Sequence, residues 1–369
     1  MEDIFRTVVT TALFFLILGT LVLVHEFGHF VTARLAGVRV LEFGIGFPPR
    51  AKVIRARGET LYTLNWLPIG GFVKLEGEDG DDNDDPRSFV RAKLPTKVVI
   101  LLAGVFMNLI TALAIFISIL WLVGTPLLGL RFSEIQPGSP AAVAGLQPGE
   151  TITAIDGVKF EFFGESQVLT ELRSRPGETV TLTLLQPTGT TRDVTLTLRP
   201  SSQIDDKHGP LGITSSEEGP FEFPITYERN DLPTAIGLGA SQTVTWFGLI
   251  LRGLGDLVSS FYTNPTAPPP VAGPVGIARQ IGDVFFAFGP VITLYVAGIL
   301  SANLALVNVL PFPPLDGGRL FVILLKSIFG RRISLRAERL TYLAGFLFLF
   351  AFLIWVSGFD LIRALGGGT

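Results

Sequence analysis

The chain has 369 residues, 48% of them hydrophobic and only 17% charged, and its mean hydropathy of +0.50 excludes an ordinary soluble domain. A net charge of −3, with no basic stretch interleaved with aromatics, gives no reason to expect nucleic acid as a partner. The absence of cysteine rules out disulfides and thiolate metal sites.

A helix that crosses a bilayer needs about 20 predominantly apolar residues. Four long stretches without Asp, Glu, Lys or Arg stand out: residues 7–24, 98–130, 284–315 and 340–359. The first reads as a retained helix and not as a cleaved signal peptide, because its flank MEDIFR is not clearly basic and no small-residue cleavage site stands out. Between the first two stretches, residues 34–97 hold eleven Lys or Arg, whereas the N-terminal tail holds only Arg6 and the tail after the fourth only Arg363. The positive-inside rule then predicts a cytoplasmic loop, four crossings and both termini outside.

Within that loop, RVLEFGIGF, AKVIRA, TLYTLNWL and GGFVKLEG read as strands, with a turn at Arg57-Gly58-Glu59. The acidic run EDGDDNDDP after them reads as a solvated loop and not as a metal site. Beyond the second stretch the composition becomes that of a soluble module. RFSEIQ, TITAIDG, VTLTLLQ and DVTLTLR alternate as half-buried strands, and SQVLTELRSR has helical spacing. Residues 234–262 are apolar but interrupted by Arg252 and Asp256, and are expected to form an interfacial amphipathic helix, not a fifth span. The Pro-rich TNPTAPPPVAGP that follows is a connector.

The chemistry-bearing motif is HEFGH at residues 25–29. On a helix, HExxH stacks His25 and His29 on one face with Glu26 beside them. Two neutral imidazoles can hold a divalent metal while the carboxylate serves as general base toward water. The competing reading is a polar pair lining a bundle interior. Against it, two of the chain's three histidines stand here, and an ionisable residue within a span costs about 2.5–3.5 kcal/mol on insertion scales. A third ligand is available in NVLPFPPLDGGRL at 308–320, where three prolines prevent a simple helix before Asp316. The first helix reaches His25 after the run 7–24, about 27 Å of helix, and the third also runs inward, so His25, His29 and Asp316 should lie at one depth near the cytoplasmic face. Two His and one Asp leave a position open, as in a catalytic zinc site, although other divalent ions would also fit. Asn108, Asn303 and Asn308 are further polar groups in the spans. Asn108 and Asn308 should fall near the metal's depth, where an amide could hold a peptide carbonyl or its developing oxyanion.

HEFGH, AGVFMN, GSPAAVAGLQPGETITAIDG, GPVGIA and NVLPFPPLDGG, in that order over nearly the whole chain, resemble the site-2 protease family (M50) of intramembrane zinc metalloproteases, and in particular its PDZ-containing, RseP-like bacterial branch. The resemblance implies Zn2+ on His25, His29 and Asp316, with Glu26 as catalytic base. It also implies that Asn108, paired with Gly104 in a GxxxN pattern, and Asn308 assist substrate or transition state. The strands at 38–76, with Gly70 and Gly71, would match a membrane-associated β-hairpin region whose edge pairs with unwound substrate. The expected fold is a polytopic α-helical membrane protein with these strands and an inserted extracytoplasmic PDZ domain. Its divisions are a first helix (1–37), strands and acidic loop (38–97), a second helix (98–127), PDZ (128–216), an outer linker with the amphipathic helix (217–283), a third helix with LDG (284–330), and a fourth helix with tail (331–369). RseP-like proteases carry two PDZ modules where one is legible here, and EEGPFEFPITYERNDLP after it matches nothing.

By the same resemblance, substrates are single-span proteins such as anti-sigma factors already shortened by another protease, or remnant signal peptides, and the PDZ module takes a peptide or an ectodomain. The setting is the bacterial inner membrane, with the active site toward the cytoplasm. Two other classes compete, a metal-dependent transporter and a non-catalytic PDZ scaffold. The first predicts internal repeats or a charged pathway across the bilayer, neither of which is visible. The second would tolerate loss of metal ligands, none of which is missing.

Overall fold

Apolar composition and the charges at its ends make residues 2–35 one helix, α1 (Glu2–Leu35), with Glu2 and Asp3 in the first turn and Arg34 in the last, where the helix dipole favours them. The computed structural model describes residues 1–56, 58–78, 85–163, 167–205, 208–214, 222–263, 268–330 and 334–365. It divides into two units, Met1–Ile117 with Ile236–Thr369, and Ser118–Ala235.

After α1 the chain turns at Gly37 (φ 76°) into β1 (Val40–Arg55) and β2 (Leu61–Leu75), which pair antiparallel. They do not form a plain hairpin. Residues 40–45 pair on one side with 71–75 and on the other with 61–64, while 50–55 pair with 62–65. The sheet order is therefore 71–75, 40–45, 61–64, 50–55, and 71–75 is an edge. Gly70 and Gly71 seat this edge against α1. A Cβ on Gly70 would lie 2.5 Å from Val22 Cγ1, and one on Gly71 would lie 3.1 Å from Leu23 Cδ1. The acidic run falls largely at 79–84, outside the described residues, as does Arg57 of the expected turn.

Helix α2 (Leu94–Leu122) lies antiparallel to α1: Ile100 meets His29, and Asn108 meets His25. The backbones approach at Gly28, where a Cβ would stand 2.5 Å from the Ala103 carbonyl oxygen. Beneath this contact Ala33, Val38, Val40, Leu75, Phe89, Ile100 and Leu101 form one buried cluster, fastening the end of α1, both strands and the start of α2 together.

The second unit contains β3 (Thr125–Leu128), β4 (Leu130–Arg131), β5 (Glu134–Ile135), α3 (Pro140–Val143), β6 (Thr151–Ile155), β7 (Val158–Lys159), α4 (Val168–Ser174), β8 (Thr179–Leu185), β9 (Thr191–Thr197), β10 (Ile213–Thr214) and β11 (Ile225–Glu228). Its main sheet runs β4-β6-β8-β9 with β7 on β6, and β3 pairs with β11 and β5 with β10. The alternation in TVTLTLL buries Val180, Leu182 and Leu184 against Phe132, Ile152, Phe160 and Leu172. The β3–β11 pairing draws 225–228 into the unit, so part of the stretch that matched nothing in sequence is structural, and the unit is wider than 128–216. Residues 215–221 are outside the described set.

Helices α5 (Leu232–Thr263), α6 (Pro274–Val309), α7 (Asp316–Phe329) and α8 (Leu335–Leu365) complete the first unit. Among the described residues five helices are long and apolar enough to cross a membrane, α1, α2, α5, α6 and α8, one more than the four spans expected. The expected third span at 284–315 differs as well. Its helix begins at Pro274, bends at Gly289 (φ 79°) before Pro290, and ends at Val309. The bend is sharp because Pro290 lacks an N–H and Gly289 tolerates the left-handed region.

Contacts on the two sides of the bend give the directions. Before it, Gly282 meets Thr10 and Phe286 meets Phe5, opposite in sense to α1. After it, Gly298 meets Phe116 and Ser301 meets Asn108, opposite to α2 and hence parallel to α1. Helix α8 returns along this second segment, with Gly345 against Pro313. Near its other end Asp360 accepts the Gly276 N–H at 2.8 Å, capping α6.

In the second unit, Glu150 is buried and takes a bidentate pair from Arg192, Nε and Nη2 each at 2.8 Å, plus the Gln147 N–H at 2.9 Å. Burial alone would raise this carboxyl, but those donors hold it below the usual range. A depressed carboxyl contributes stability above its unfolded-state pKa and loses it as pH falls. Glu150→Gln should therefore weaken the unit by about 1.5–3 kcal/mol near neutrality, with the difference vanishing in acid. Hydrogen exchange of the β6 and β8 amides in the solubilised full chain, followed against urea and pH, measures this.

Candidate metal centre

His25 and His29 stand one turn apart on α1, both buried. Asp316 reaches them because the chain leaves α6 at Val309, passes Pro311, Pro313 and Pro314, and restarts as α7 with Asp316 as its first residue. The two following glycines allow that tight return, since a Cβ on Gly318 would meet the Phe312 carbonyl oxygen at 2.5 Å. The expected trio is thus brought together. His25 Nε2 and His29 Nε2 are 3.1 Å apart, and Asp316 Oδ2 lies 2.9 Å from the first and 3.2 Å from the second.

The donor chemistry fits a divalent cation. His29 Nδ1 donates to the Ile100 carbonyl oxygen at 2.8 Å, so its Nε2 carries a lone pair toward the centre. His25 Nδ1 faces the Asn108 amide at 3.3 Å, and Asn108 Oδ1 is buried without a partner. A half-turn of that amide lets Oδ1 accept from Nδ1–H, which would turn His25 Nε2 inward as a lone pair too. Asn108 is itself held through its carbonyl oxygen by Ser301 Oγ at 2.8 Å. Three lone-pair atoms converging in an apolar bundle repel one another unless a cation lies among them. A tetrahedral zinc with bonds of about 2.0–2.1 Å has ligand atoms about 3.3 Å apart, close to the three separations found.

Glu26 lines a cavity of about 170 Å3 together with His29, Asp316, Val73 and Arg319. Its Oε2 accepts the Val73 N–H from the edge of β2 at 3.1 Å, so a group on the metal helix is hydrogen-bonded to the sheet. Gly70 and Gly71 sit on the same segment, but they pack on α1 and the cavity wall begins at Phe72. Asn308 is half-buried in the last turn of α6 and makes no hydrogen bond among the described residues.

Glu78 and Arg319 also line the cavity and form an ion pair, and neither stood out in sequence. Arg319 was findable, since it lies three residues after Asp316 and therefore on the same face of α7. Glu78 opens the acidic run and was hidden by its company.

Gly104 stands over the centre. A Cβ there would lie 2.5 Å from His29 Nε2 and 2.7 Å from His25 Nε2. Gly104→Ala should favour the helix itself by about 1 kcal/mol yet lower bound metal by about tenfold or more by displacing the imidazoles. Metal analysis of the purified variant beside its helical content tests both halves.

With this geometry in hand, comparison with known proteins is informative. The family model described as "Peptidase family M50" matches residues 13–352. A Clostridium perfringens protein named "Putative zinc metalloprotease CPE1693" is 32% identical, over 93% of this chain and 96% of its own. "Zinc metalloprotease RasP" of Geobacillus kaustophilus is 26% identical, over 94% and 96%. Among solved structures, the PDZ domain of an SdrC-like protein from Listeria innocua matches 23% of this chain and 90% of its own, at 26% identity and a TM-score of 0.20. An HExxH helix meeting an aspartate from a proline-broken segment, within a match of this extent, makes the chain a member of peptidase family M50.

Proposed function

We propose that this M50 peptidase is an intramembrane zinc metalloprotease whose centre is His25, His29 and Asp316, with Glu26 as its catalytic base. The observation that carries the reading is the triangle of His25 Nε2, His29 Nε2 and Asp316 Oδ2, the last two residues lining one small cavity with Glu26. A bound zinc supplies Lewis acidity toward the scissile carbonyl and toward water. The chain's own groups do the rest. Val73 N–H fixes Oε2 of Glu26, and the carboxylate takes a proton from the attacking water and delivers it to the leaving amine. Asn108, which the sequence cast as a substrate contact, stands behind His25 and acts there as an orienting partner. Asn308 and the edge carried by Gly70 and Gly71 face the substrate, the edge by pairing with an extended peptide. A helical substrate exposes no scissile carbonyl until it unwinds, and an edge strand captures it in extended form.

The contact directions support a membrane arrangement. Because the second segment of α6 runs parallel to α1 and opposite to α2, the chain between α2 and Gly289 starts and ends at one face. That favours four crossings, α1, α2, residues 290–309 and α8, with α5 and residues 274–288 entering and returning on the outer side. Eleven Lys and Arg in 34–97 support a sheet and metal centre that face the cytoplasm of a bacterial inner membrane. Both termini and the Ser118–Ala235 unit then lie outside. GSPAAVAGLQPGETITAIDG supports reading that unit as a PDZ module for a peptide or ectodomain. Single-span proteins trimmed beforehand, of the anti-sigma-factor kind, are the proposed substrates.

Cleavage of a single-span model substrate in liposomes, with metal quantified on the same samples, tests the assignment. Glu26→Gln should keep the metal and lose about a hundred- to ten-thousandfold in rate. Asp316→Ala should lose metal and cleavage together, and metal retained without Asp316 would remove it from the ligand set. Asn108→Ala should weaken metal binding by about 10–100-fold, measured by chelator competition; an unchanged affinity would return Asn108 to the substrate side.

A further inference from the structure

The edge segment 71–75 is open along only part of its length. In an antiparallel pair, alternate residues turn both N–H and C=O toward the edge, and the edge N–H groups of Val73 and Leu75 are each taken by a carboxylate. Val73 N–H goes to Glu26 Oε2 at 3.1 Å, and Leu75 N–H to Glu78 Oε2 at 3.0 Å. At Leu75 the carbonyl is used as well, accepting the Glu78 N–H at 3.3 Å. The Glu78 carboxylate is in turn gripped by Arg319 Nη1, while Arg319 Nη2 reaches the Glu78 carbonyl oxygen at 3.3 Å. Arg319 lies one turn beyond Asp316 on α7, its guanidinium over the Tyr342 ring. The end of the pairing edge is therefore tied to the helix that begins with the third metal-ligand candidate.

We infer that Glu78, held by Arg319, is the register stop of this edge. It closes the edge at Leu75, so that an extended peptide pairs only up to the Val73 carbonyl, and this sets which peptide bond lies at the metal centre. The inference rests on the proteolytic reading above and gives two residues outside the expected site a role in cleavage position. Strand pairing slips in steps of two, because a one-residue slip would turn every side chain to the other face. Removing the stop should therefore move the cut by two residues.

The test uses the full chain in liposomes with the single-span model substrate, comparing wild type with Glu78→Ala, Arg319→Ala and Arg319→Lys. Expected are unchanged metal content, new product termini two residues from the wild-type bond in both alanine variants, and partial return to the original bond in Arg319→Lys. Cleavage confined to the original bond, at whatever rate, would overturn the inference. A second readout does not need cleavage. In the Glu26→Gln background, bound substrate should leave Leu75 amide exchange unaltered while Glu78 is present, and slow it about tenfold once Glu78→Ala is added. No added protection at Leu75 would also overturn it. Absence of cleavage by the wild type would count against the proteolytic reading, leaving the Leu75 amide to decide on the stop.

Discussion

His25 Nε2, His29 Nε2 and Asp316 Oδ2 meet within 3.2 Å of one another inside a bundle of apolar helices, and the remaining architecture is arranged around that contact. Polar atoms so crowded in an apolar interior make a demand for a partner, which a divalent cation among them would meet. Meeting the demand requires helix backbones closer than side chains usually permit, which Gly28 and Gly104 provide. It also requires a carboxylate from a third direction, which a proline-broken segment and two glycines supply. Outward partners, the Ile100 carbonyl and the Asn108 amide, then commit the imidazoles to present Nε2.

A second problem is to bring a peptide bond to this point. In the proposed function the sheet addresses it through the edge that Gly70 and Gly71 lay against α1, with Val22 and Leu23 beneath. Glu26 belongs to both structures at once, on the helix of the ligands and hydrogen-bonded to the edge. The charges nearest the centre beyond it, Glu78 and Arg319, neutralise each other, which limits the cost of placing them beside an apolar core. Helix α1, the edge strand and α7 thus form one connected frame.

The Ser118–Ala235 unit has a core of its own, built from alternating strands and closed by pairings that begin at Thr125 and finish at Glu228. Its most buried ion pair, Glu150 with Arg192, joins the turn before β6 to β9.

Local patterns were sufficient for the parts of this protein whose physics is local. HExxH at helical spacing set His25 and His29 on one face, uninterrupted apolar runs specified the long helices, and alternation in TVTLTLL specified β8. The proline-broken NVLPFPPLDGGRL was enough to offer Asp316 as their partner, and the fold brings it to them. What depended on sequence-distant neighbours was decided only by the tertiary fold. The bend at Gly289, the edge position of 71–75, the contact of Asn108 with His25, and the Glu78–Arg319 pair all arise from packing between segments far apart in the chain. Glu78 shows the reason most plainly. In sequence it is one carboxylate among many in an acidic run, and only the approach of α7 gives it a partner and a place.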